Sequence, residues 1–162
     1  MKVTTEYGIN NQLLQTIKSF CCQSEVCVRI NGKQSKPFRV DVGLRKGCVL
    51  SPLLFITYMN WIDKCSQTSE CVKIGSFKIS RLLFADDLVL LADSESGLQH
   101  TLDSFAAACD TAGMKISTVK TEVLHISRNT AQCSLQVGGV QLKQVEKFKY
   151  RFLQAILIHI FF

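Results

Sequence analysis

The chain has 162 residues, of which 47% are hydrophobic, and its 19 Lys and Arg against 13 Asp and Glu give a formal net charge of +6. This apolar content argues against disorder and suits one domain with a packed core. The positive charge suits a polyanionic partner, although an ordinary basic surface explains it equally well. No apolar run reaches the roughly 18 residues that a membrane span needs.

The cysteine pattern favours free thiols over a metal cluster or a disulfide framework. No two of the eight cysteines stand in a Cys-x-x-Cys pair; they are Cys21, Cys22, Cys27, Cys48, Cys65, Cys71, Cys109 and Cys133. The first six residues contain no apolar signal region. We therefore expect an intracellular chain, cytoplasmic or nuclear and not secreted, whose reduced thiols serve as packing residues.

The first predicted helix begins near Asn10 or Asn11, either of which can cap it. Its apolar residues recur at helical spacing and predict one core-facing side: Leu13, Leu14, Ile17, Phe20 and Cys21. Alternating apolar residues then predict a β-hairpin over about residues 26–42. Asn31-Gly32 is a turn signal, but residues 33–37 predict a connection of about five residues, longer than the two-residue form.

A basic, glycine-flanked loop at residues 43–47 precedes the second predicted helix. Ser51-Pro52 predicts the start of that helix, with serine as the cap and proline at the first helical position. The helix is apolar on most faces as far as residue 63. It is therefore expected to be buried and packed beneath the hairpin that follows it in the chain.

Phe84-Ala85-Asp86-Asp87 interrupts two apolar runs with two adjacent carboxylates. Because Asp disfavours strands and a buried unpaired carboxylate is costly, these residues predict the tip of a hairpin over about residues 81–91, with at least one carboxylate exposed. A Mg²⁺ ion that handles phosphates is the sharpest reason for two acids in a turn. The alternative is a hairpin tip with two solvated acids.

The remaining segments complete an α+β prediction. A capping box at Ser96 predicts a packed helix that ends at Gly113, and Gly138-Gly139 predicts a further hairpin turn. The apolar residues 151–162 are expected to be foreign to the domain and poorly integrated with it. The predicted architecture is an antiparallel sheet with helices packed on one face.

Four motifs occur in a fixed order along the chain. They are GLRKGCVLSPLLF at residues 43–55, FADD at 84–87, GMKIS at 113–117 with KTE at 120–122, and FKY at 148–150. Together they closely resemble the reverse transcriptase of LINE-type non-LTR retrotransposons over about residues 6–150. The resemblance implies a polymerase palm, incomplete here, with residues 1–150 as a partial reverse transcriptase domain and 151–162 as a divergent tail.

The resemblance also implies roles for individual residues. Asp86 and Asp87 would be catalytic and would bind Mg²⁺, with Mn²⁺ as a possible substitute, and Lys120 would stand near the triphosphate. The residues implied to contact nucleotide or template are Arg45, Lys46, Gly47, Phe84 and Ala85. Those implied to grip the primer are Phe148, Lys149 and Tyr150. The alternatives are solvated surface roles for Arg45 and Lys120, and core roles for the aromatic residues.

The sequence departs from the family pattern in three ways. We expect the family's further catalytic Asp, which lies on an earlier strand, to be missing from this chain. Lys46 stands where Gln is usual, and the apolar tail stands where the family continues towards its thumb.

Three interpretations follow from these departures. The first is a reverse transcriptase fragment, inactive alone, whose partners are an RNA template, a DNA primer and deoxynucleoside triphosphates, with no membrane and no obvious protein partner. The second is a nucleic-acid-binding remnant that acts through Arg29, Lys33, Lys36, Arg39, Arg45 and Lys46. The third is a vestigial protein without a selected role.

Overall fold

The computed structural model describes residues 7–21, 24–40, 43, 45–126, 132–147 and 156–160. Three helices are described: α1 (Asn11–Cys21), α2 (Leu50–Cys65) and α3 (Glu95–Thr111). The described strands are β1 (Glu25–Val26), β2 (Arg29–Ile30), β3 (Lys33–Gln34), β4 (Phe38–Arg39), β5 (Val72–Ile74), β6 (Phe77–Ile79), β7 (Arg81–Phe84), β8 (Asp87–Ala92), β9 (Glu122–Ile126), β10 (Gln136–Val137), β11 (Val140–Gln141), β12 (Lys143–Val145) and β13 (Ile156–Ile160). The predicted mixture of helix and strand is confirmed. The chain divides into two compact units, Met1–Tyr58 and Met59–Phe162.

Helix α1 lies in the first unit and begins as predicted. The side-chain oxygen of Asn10 accepts a hydrogen bond from the backbone N–H of Gln12 at 3.0 Å, which caps the helix. Its predicted core face is nevertheless open, because Leu13 and Phe20 are 53% and 65% exposed. Among the described side chains of this unit, Ser24 is the buried one, so its helix and strands enclose no apolar core of their own.

The hairpin of the first unit has a tight turn. Ile30 pairs with Lys33, and the two residues between them have positive φ values, 49° at Asn31 and 78° at Gly32, as in a type I′ turn. The predicted five-residue connection is therefore wrong. Residues 35–37 instead separate β3 from β4. There the Ser35 hydroxyl oxygen accepts from the N–H of Val28 at 2.9 Å.

Helix α2 begins at Leu50, one residue earlier than predicted, and Ser51 does not act as an accepting cap. The Ser51 hydroxyl instead donates to the carbonyl of Arg45 at 3.0 Å. Full burial holds only towards the end of the helix, at Met59 and Ile62. In its first turns Leu53 and Ile56 are exposed, and Leu54 and Phe55 are half-buried.

The second unit contains a five-stranded sheet in the order β12-β9-β13-β8-β7. Strands β7 and β8 are antiparallel, and the other three pairings are parallel, which corrects the predicted antiparallel sheet. Strand β13 lies between β8 and β9, with Ile158 opposite both Leu91 and Leu124. The prediction that residues 151–162 are poorly integrated is thus wrong for residues 156–160. A run without charged residues suits a central parallel strand.

Helix α3 packs against β8 and is capped at both ends. Its N-cap is Ser94, whose hydroxyl accepts from the N–H of Gly97 at 3.0 Å, so the predicted capping box at Ser96 is wrong by two residues. At the other end, the N–H groups of Gly113 and Met114 donate to carbonyls of the last turn, as in a Schellman motif. The buried side of the helix comprises Gly97, Leu98, Thr101, Leu102, Phe105, Ala108 and Cys109.

Two short hairpins complete the second unit. Strands β5 and β6 pair around a turn at Gly75, and β10 and β11 pair around Gly138-Gly139, as predicted for the latter. The side-chain amide of Gln99 both donates to the carbonyl of Gln136 and accepts from its N–H, each at 2.9 Å. This reciprocal pair attaches the β10–β11 hairpin to α3.

The thiols differ in burial, so the predicted packing role suits only the buried ones. Six described cysteines are free; Cys109 and Cys133 are buried, whereas Cys27, Cys48 and Cys65 are exposed. Burial raises the pKa of the Cys109 thiol to about 11 and also raises that of Cys133. Within the described part of the chain, no helix combines the length and apolar character needed to cross a membrane.

A buried arginine joins α2 to the strand that leads to the two aspartates. The Arg81 guanidinium forms an ion pair with the Asp63 carboxylate at 2.7 Å, and their side chains are 8% and 21% exposed. It also donates to the hydroxyl and the carbonyl of Ser66 at 3.0 and 3.1 Å. The predicted contact between this helix and residues 81–91 is therefore confirmed at the end of α2.

We expect Arg81→Met to lower the free energy of unfolding by about 2–4 kcal/mol, because it leaves the Asp63 carboxylate and the Ser66 carbonyl without their buried donor. Urea denaturation measures the change. Lys143→Met is the control, since Lys143 forms a 3.8 Å pair with Glu122 and is largely exposed. That variant should change stability by less than about 1 kcal/mol. Equal effects of the two variants would contradict a structural role for Arg81.

Candidate metal and nucleotide site

The predicted β7–β8 hairpin is confirmed, and it carries the two carboxylates at its tip. Phe84 pairs with Asp87, so Ala85 and Asp86 form a two-residue turn, with a positive φ of 53° at Ala85. Asp86 is exposed and Asp87 is half-buried. Asp87 is therefore the first residue of the returning strand, and its carboxylate stands at the rim of the core.

The apolar residues around the tip explain why the carboxylates lie at the rim. Every residue of β8 after Asp87 is buried, from Leu88 to Ala92. On β7 the alternate residues Leu82 and Phe84 face away from this core, and Phe84 is 72% exposed. An exposed aromatic ring can stack on a nucleic-acid base. The nucleotide contact predicted for Phe84 stays a prediction.

The sheet register brings Lys120 to the same edge as the two aspartates. Val89 and Glu122 both stand opposite Ile156 on the intervening strand β13. Strand β8 begins at Asp87 and strand β9 begins at Glu122, and Lys120 lies in the turn that leads into β9. The amino ends of β8 and β9 are two strand spacings apart, about 10 Å, because β13 lies between these strands. Lys120 is exposed there.

A compact turn fixes the backbone that carries Lys120. The carbonyl of Ser117 accepts from the N–H of Lys120 at 3.1 Å and from the N–H of Thr121 at 2.9 Å. The hydroxyl of Thr121 donates to the same carbonyl at 2.8 Å, and Thr121 is fully buried. The turn thus leaves Lys120 exposed, and the buried side chain of Thr121 fixes the turn in place.

The predicted nucleotide loop lies in the first unit, and hydrogen bonds hold its described residues from Arg45 onward. The N–H of Cys48 donates to the carbonyl of Arg45 at 3.2 Å, and Gly47 has a positive φ of 84°, as a type II turn requires at its third residue. The Arg45 guanidinium donates to the carbonyl of Phe20 at 3.1 Å and to the hydroxyl of Ser24. Arg45 therefore ties the loop to the end of α1, and its predicted phosphate contact stays a prediction.

Two of the remaining predicted residues lie in the Arg45–Cys48 turn, and three lie outside the described residues. Lys46 and Gly47 are exposed in the turn, and a Cβ added at Gly47 would meet nothing within 4 Å. The requirement for glycine there is thus its positive φ. The predicted primer residues Phe148, Lys149 and Tyr150 lie outside the described residues.

The donor set at the hairpin tip fits a divalent cation only in part. Carboxylate oxygens are the ligands that Mg²⁺ prefers. In the described ranges, however, no group of three or more His, Cys, Asp or Glu side chains is close enough to hold a metal ion. Asp86 and Asp87 would thus supply only two of the ligands that such an ion needs.

Two residues near these elements have features that the sequence did not predict: Arg81 had no predicted role, and Cys48 only a packing role. Arg81 begins the strand that carries the tip and is buried; a charged residue at the start of an apolar run was its signal. Cys48 stands before α2, where hydrogen bonds from the backbone of Leu50 and from Ser51 lower the pKa of its thiol. Its signal was a cysteine directly before a predicted helix start.

The chain matches known reverse transcriptases over most of its length. The family described as Reverse transcriptase (RNA-dependent DNA polymerase) matches residues 1–153. The chain is 36% identical over 97 residues to the Retrovirus-related Pol polyprotein from type-1 retrotransposable element R2 of Nasonia vitripennis, covering 60% of this chain and 9% of that protein. It is 30% identical over 130 residues to the Retrovirus-related Pol polyprotein from type-2 retrotransposable element R2DM of Drosophila melanogaster, covering 74% and 12%.

A third relative is the RNA-directed DNA polymerase from mobile element jockey of Drosophila melanogaster, 23% identical over 146 residues, or 86% of this chain and 16% of that protein. This chain belongs to the reverse transcriptase family. Its homologues are Pol proteins of the R2 and jockey non-LTR retrotransposons, so the resemblance found in the motifs is confirmed. The chain spans between 9% and 16% of the length of these three relatives.

We expect the exposed Cys48 thiol to react with iodoacetamide at lower pH in the folded chain than in the same chain unfolded in denaturant. The hydrogen bonds that lower its pKa favour the thiolate, which is the reactive form. Cys109, with its raised pKa, should resist labelling through neutral pH. Peptide mapping by mass spectrometry across pH 6 to 9 measures both. Identical pH profiles for Cys48 in the folded and unfolded chain would contradict this prediction.

Proposed function

We propose that this chain forms part of the palm of an RNA-directed DNA polymerase and contributes carboxylates to a two-metal active site. The observation that carries the proposal is the pair Asp86 and Asp87 at a hairpin tip, on the sheet edge that also presents Lys120. Two adjacent carboxylates suit Mg²⁺, with Mn²⁺ as a substitute. The proposed partners are an RNA template, a DNA primer and deoxynucleoside triphosphates.

The chemistry requires negative and positive groups in different places. When bound, the metal ions would activate the primer 3′-hydroxyl and stabilise the leaving pyrophosphate during in-line displacement. In this proposal Asp86 and Asp87 hold the cations. Lys120 contacts the triphosphate, because its ammonium group offers three donors and a compact positive charge on the same sheet edge.

The remaining predicted residues extend this proposal to the nucleic acid. Phe84 and Ala85 would line the path of the nucleotide beside the carboxylates, and the loop of Arg45, Lys46 and Gly47 would contact nucleotide or template. The primer contacts would fall at Phe148, Lys149 and Tyr150. In this proposal residues 1–150 are the partial reverse transcriptase domain of an intracellular protein.

We propose further that the chain alone does not polymerise. Within the described residues no third carboxylate joins the two at the hairpin tip. Two adjacent acids from one hairpin are too few to hold both ions in the geometry of in-line transfer.

The metal-binding part of the proposal is tested by Mn²⁺ binding to the full chain, followed by electron paramagnetic resonance. We expect the double variant Asp86→Asn with Asp87→Asn to bind on the order of tenfold more weakly, or about 1.4 kcal/mol. The control is Asp93→Asn with Asp110→Asn, which removes two exposed carboxylates elsewhere and the same charge. Equal weakening in both double variants would exclude a specific site at the tip.

The catalytic part is tested by primer extension on an RNA template with Mg²⁺ or Mn²⁺. We expect no detectable product from the chain alone, since loss of one electrostatic group from such a site already costs on the order of 10²–10³-fold in rate. Template-dependent incorporation that disappears in Asp86→Asn would overturn this expectation. It would mean that another carboxylate, or a second copy of the chain, completes the site.

A further inference from the structure

Residues 24–40, here called the ribbon, form two short antiparallel pairs, β1 with β4 and β2 with β3, and have two chemically different faces. Directly paired residues of antiparallel strands share a face, and successive residues alternate. The pairs Val26 with Phe38 and Glu25 with Arg39 therefore lie on opposite faces. The first face carries Val26, Val28, Ile30, Lys33, Phe38 and Val40; the second carries Glu25, Cys27, Arg29, Gln34 and Arg39.

Hydrogen bonds between side chains confirm the composition of the second face. The Gln34 amide donates to the sulfur of Cys27 at 2.7 Å, and the Arg29 guanidinium approaches the Gln34 carbonyl oxygen at 3.5 Å. These three residues come from both strands and meet above the sheet. The second face is therefore polar along its length, and we call it the polar face.

The ribbon carries an excess of positive charge. Four cations, Arg29, Lys33, Lys36 and Arg39, stand against the single anion Glu25, so the ribbon contributes +3 of the +6 net charge of the chain. All four cations are exposed. None of them forms an ion pair with another residue in the described part of the chain.

These cations differ from Arg45, the basic residue nearest to them in fold and sequence. The Arg45 guanidinium is used by the protein, since it donates to the Phe20 carbonyl and the Ser24 hydroxyl. Arg29 and Arg39 extend from a polar face towards solvent. Along the strand they are four residues apart, about 13 Å, because Arg39 pairs with Glu25. That distance spans several phosphates of a nucleic-acid strand.

We propose that the polar face of the ribbon binds the sugar-phosphate backbone of a single nucleic-acid strand through Arg29 and Arg39. The face offers guanidinium groups, which pair with phosphate oxygens, and no arrangement that would read bases. Binding is therefore independent of sequence and strongly dependent on salt. The proposal does not rest on metal binding by Asp86 and Asp87, since the ribbon lies in the other unit.

The test measures binding of the full chain to a short fluorescein-labelled single-stranded RNA by anisotropy over a range of salt concentrations. We expect Arg29→Ala with Arg39→Ala to weaken binding on the order of tenfold at low salt. The slope of log K against log salt should fall by about 1.4, or about 0.7 for each lost phosphate contact. Absence of binding by the unaltered chain would overturn the proposal.

The matched control is Lys73→Ala with Lys78→Ala. Lys73 and Lys78 are exposed and directly paired across the β5–β6 hairpin, so this variant removes the same charge from another ribbon. It should leave the salt slope unchanged. If both double variants reduce the slope equally, the chain binds RNA through its net charge only, and the polar face is not a site.

Two further double variants complete the test. Arg29→Lys with Arg39→Lys keeps both charges and should retain most of the binding; loss equal to that of the alanine variant would overturn the proposal. Asp93→Asn with Asp110→Asn, which alters two exposed carboxylates outside both proposed sites, should not weaken RNA binding. The two proposals fail independently, because one is measured by Mn²⁺ binding and the other by RNA binding. A single-stranded DNA of the same sequence should show the same dependence on Arg29 and Arg39, and dependence with RNA alone would contradict recognition of the backbone.

Discussion

The buried guanidinium of Arg81 is the interaction on which the arrangement of the second unit depends. Helix α2 ends at Cys65, and the carbonyls near its end need donors from outside the helix. Arg81 provides them at Asp63 and Ser66, while the ion pair with Asp63 compensates the charge that is buried. The Ser104 hydroxyl of α3 also donates to the Ser66 carbonyl, at 3.4 Å. One polar cluster thus fixes two helices and the strand that leads to Asp86 and Asp87.

The two carboxylates lie directly before the buried part of strand β8. Residues Leu88 to Ala92 are buried between the sheet and α3, and acidic residues lie at both ends of this run, Asp87 before it and Asp93 after it. Parallel pairing then brings the starts of β8 and β9 to one edge. Asp87 begins β8 and Lys120 lies in the turn that leads into β9, so two residues far apart in the sequence come to the same end of the sheet.

The sequence predicted the elements whose signals are local. Asn10 caps α1, the FADD hairpin closes at Phe84 and Asp87, and Gly138-Gly139 forms the turn between β10 and β11. The predicted N-cap of α3 was wrong, because Ser94 and Ser96 suit that position equally by composition. Ser94 is the N-cap: its backbone is extended, with φ of −141°, and its hydroxyl accepts from the N–H of Gly97.

The sequence by itself determined the family, through motifs whose order survives without knowledge of the fold, and it located the two acids at an exposed turn. Only the tertiary structure decided the direction and order of the strands. Residues 156–160 show the reason: an apolar run suits an exposed tail and a central strand equally in the sequence, and pairing with both β8 and β9 selects the second. The same long-range register, which no local signal encodes, decided that Lys120 shares an edge with Asp86 and Asp87.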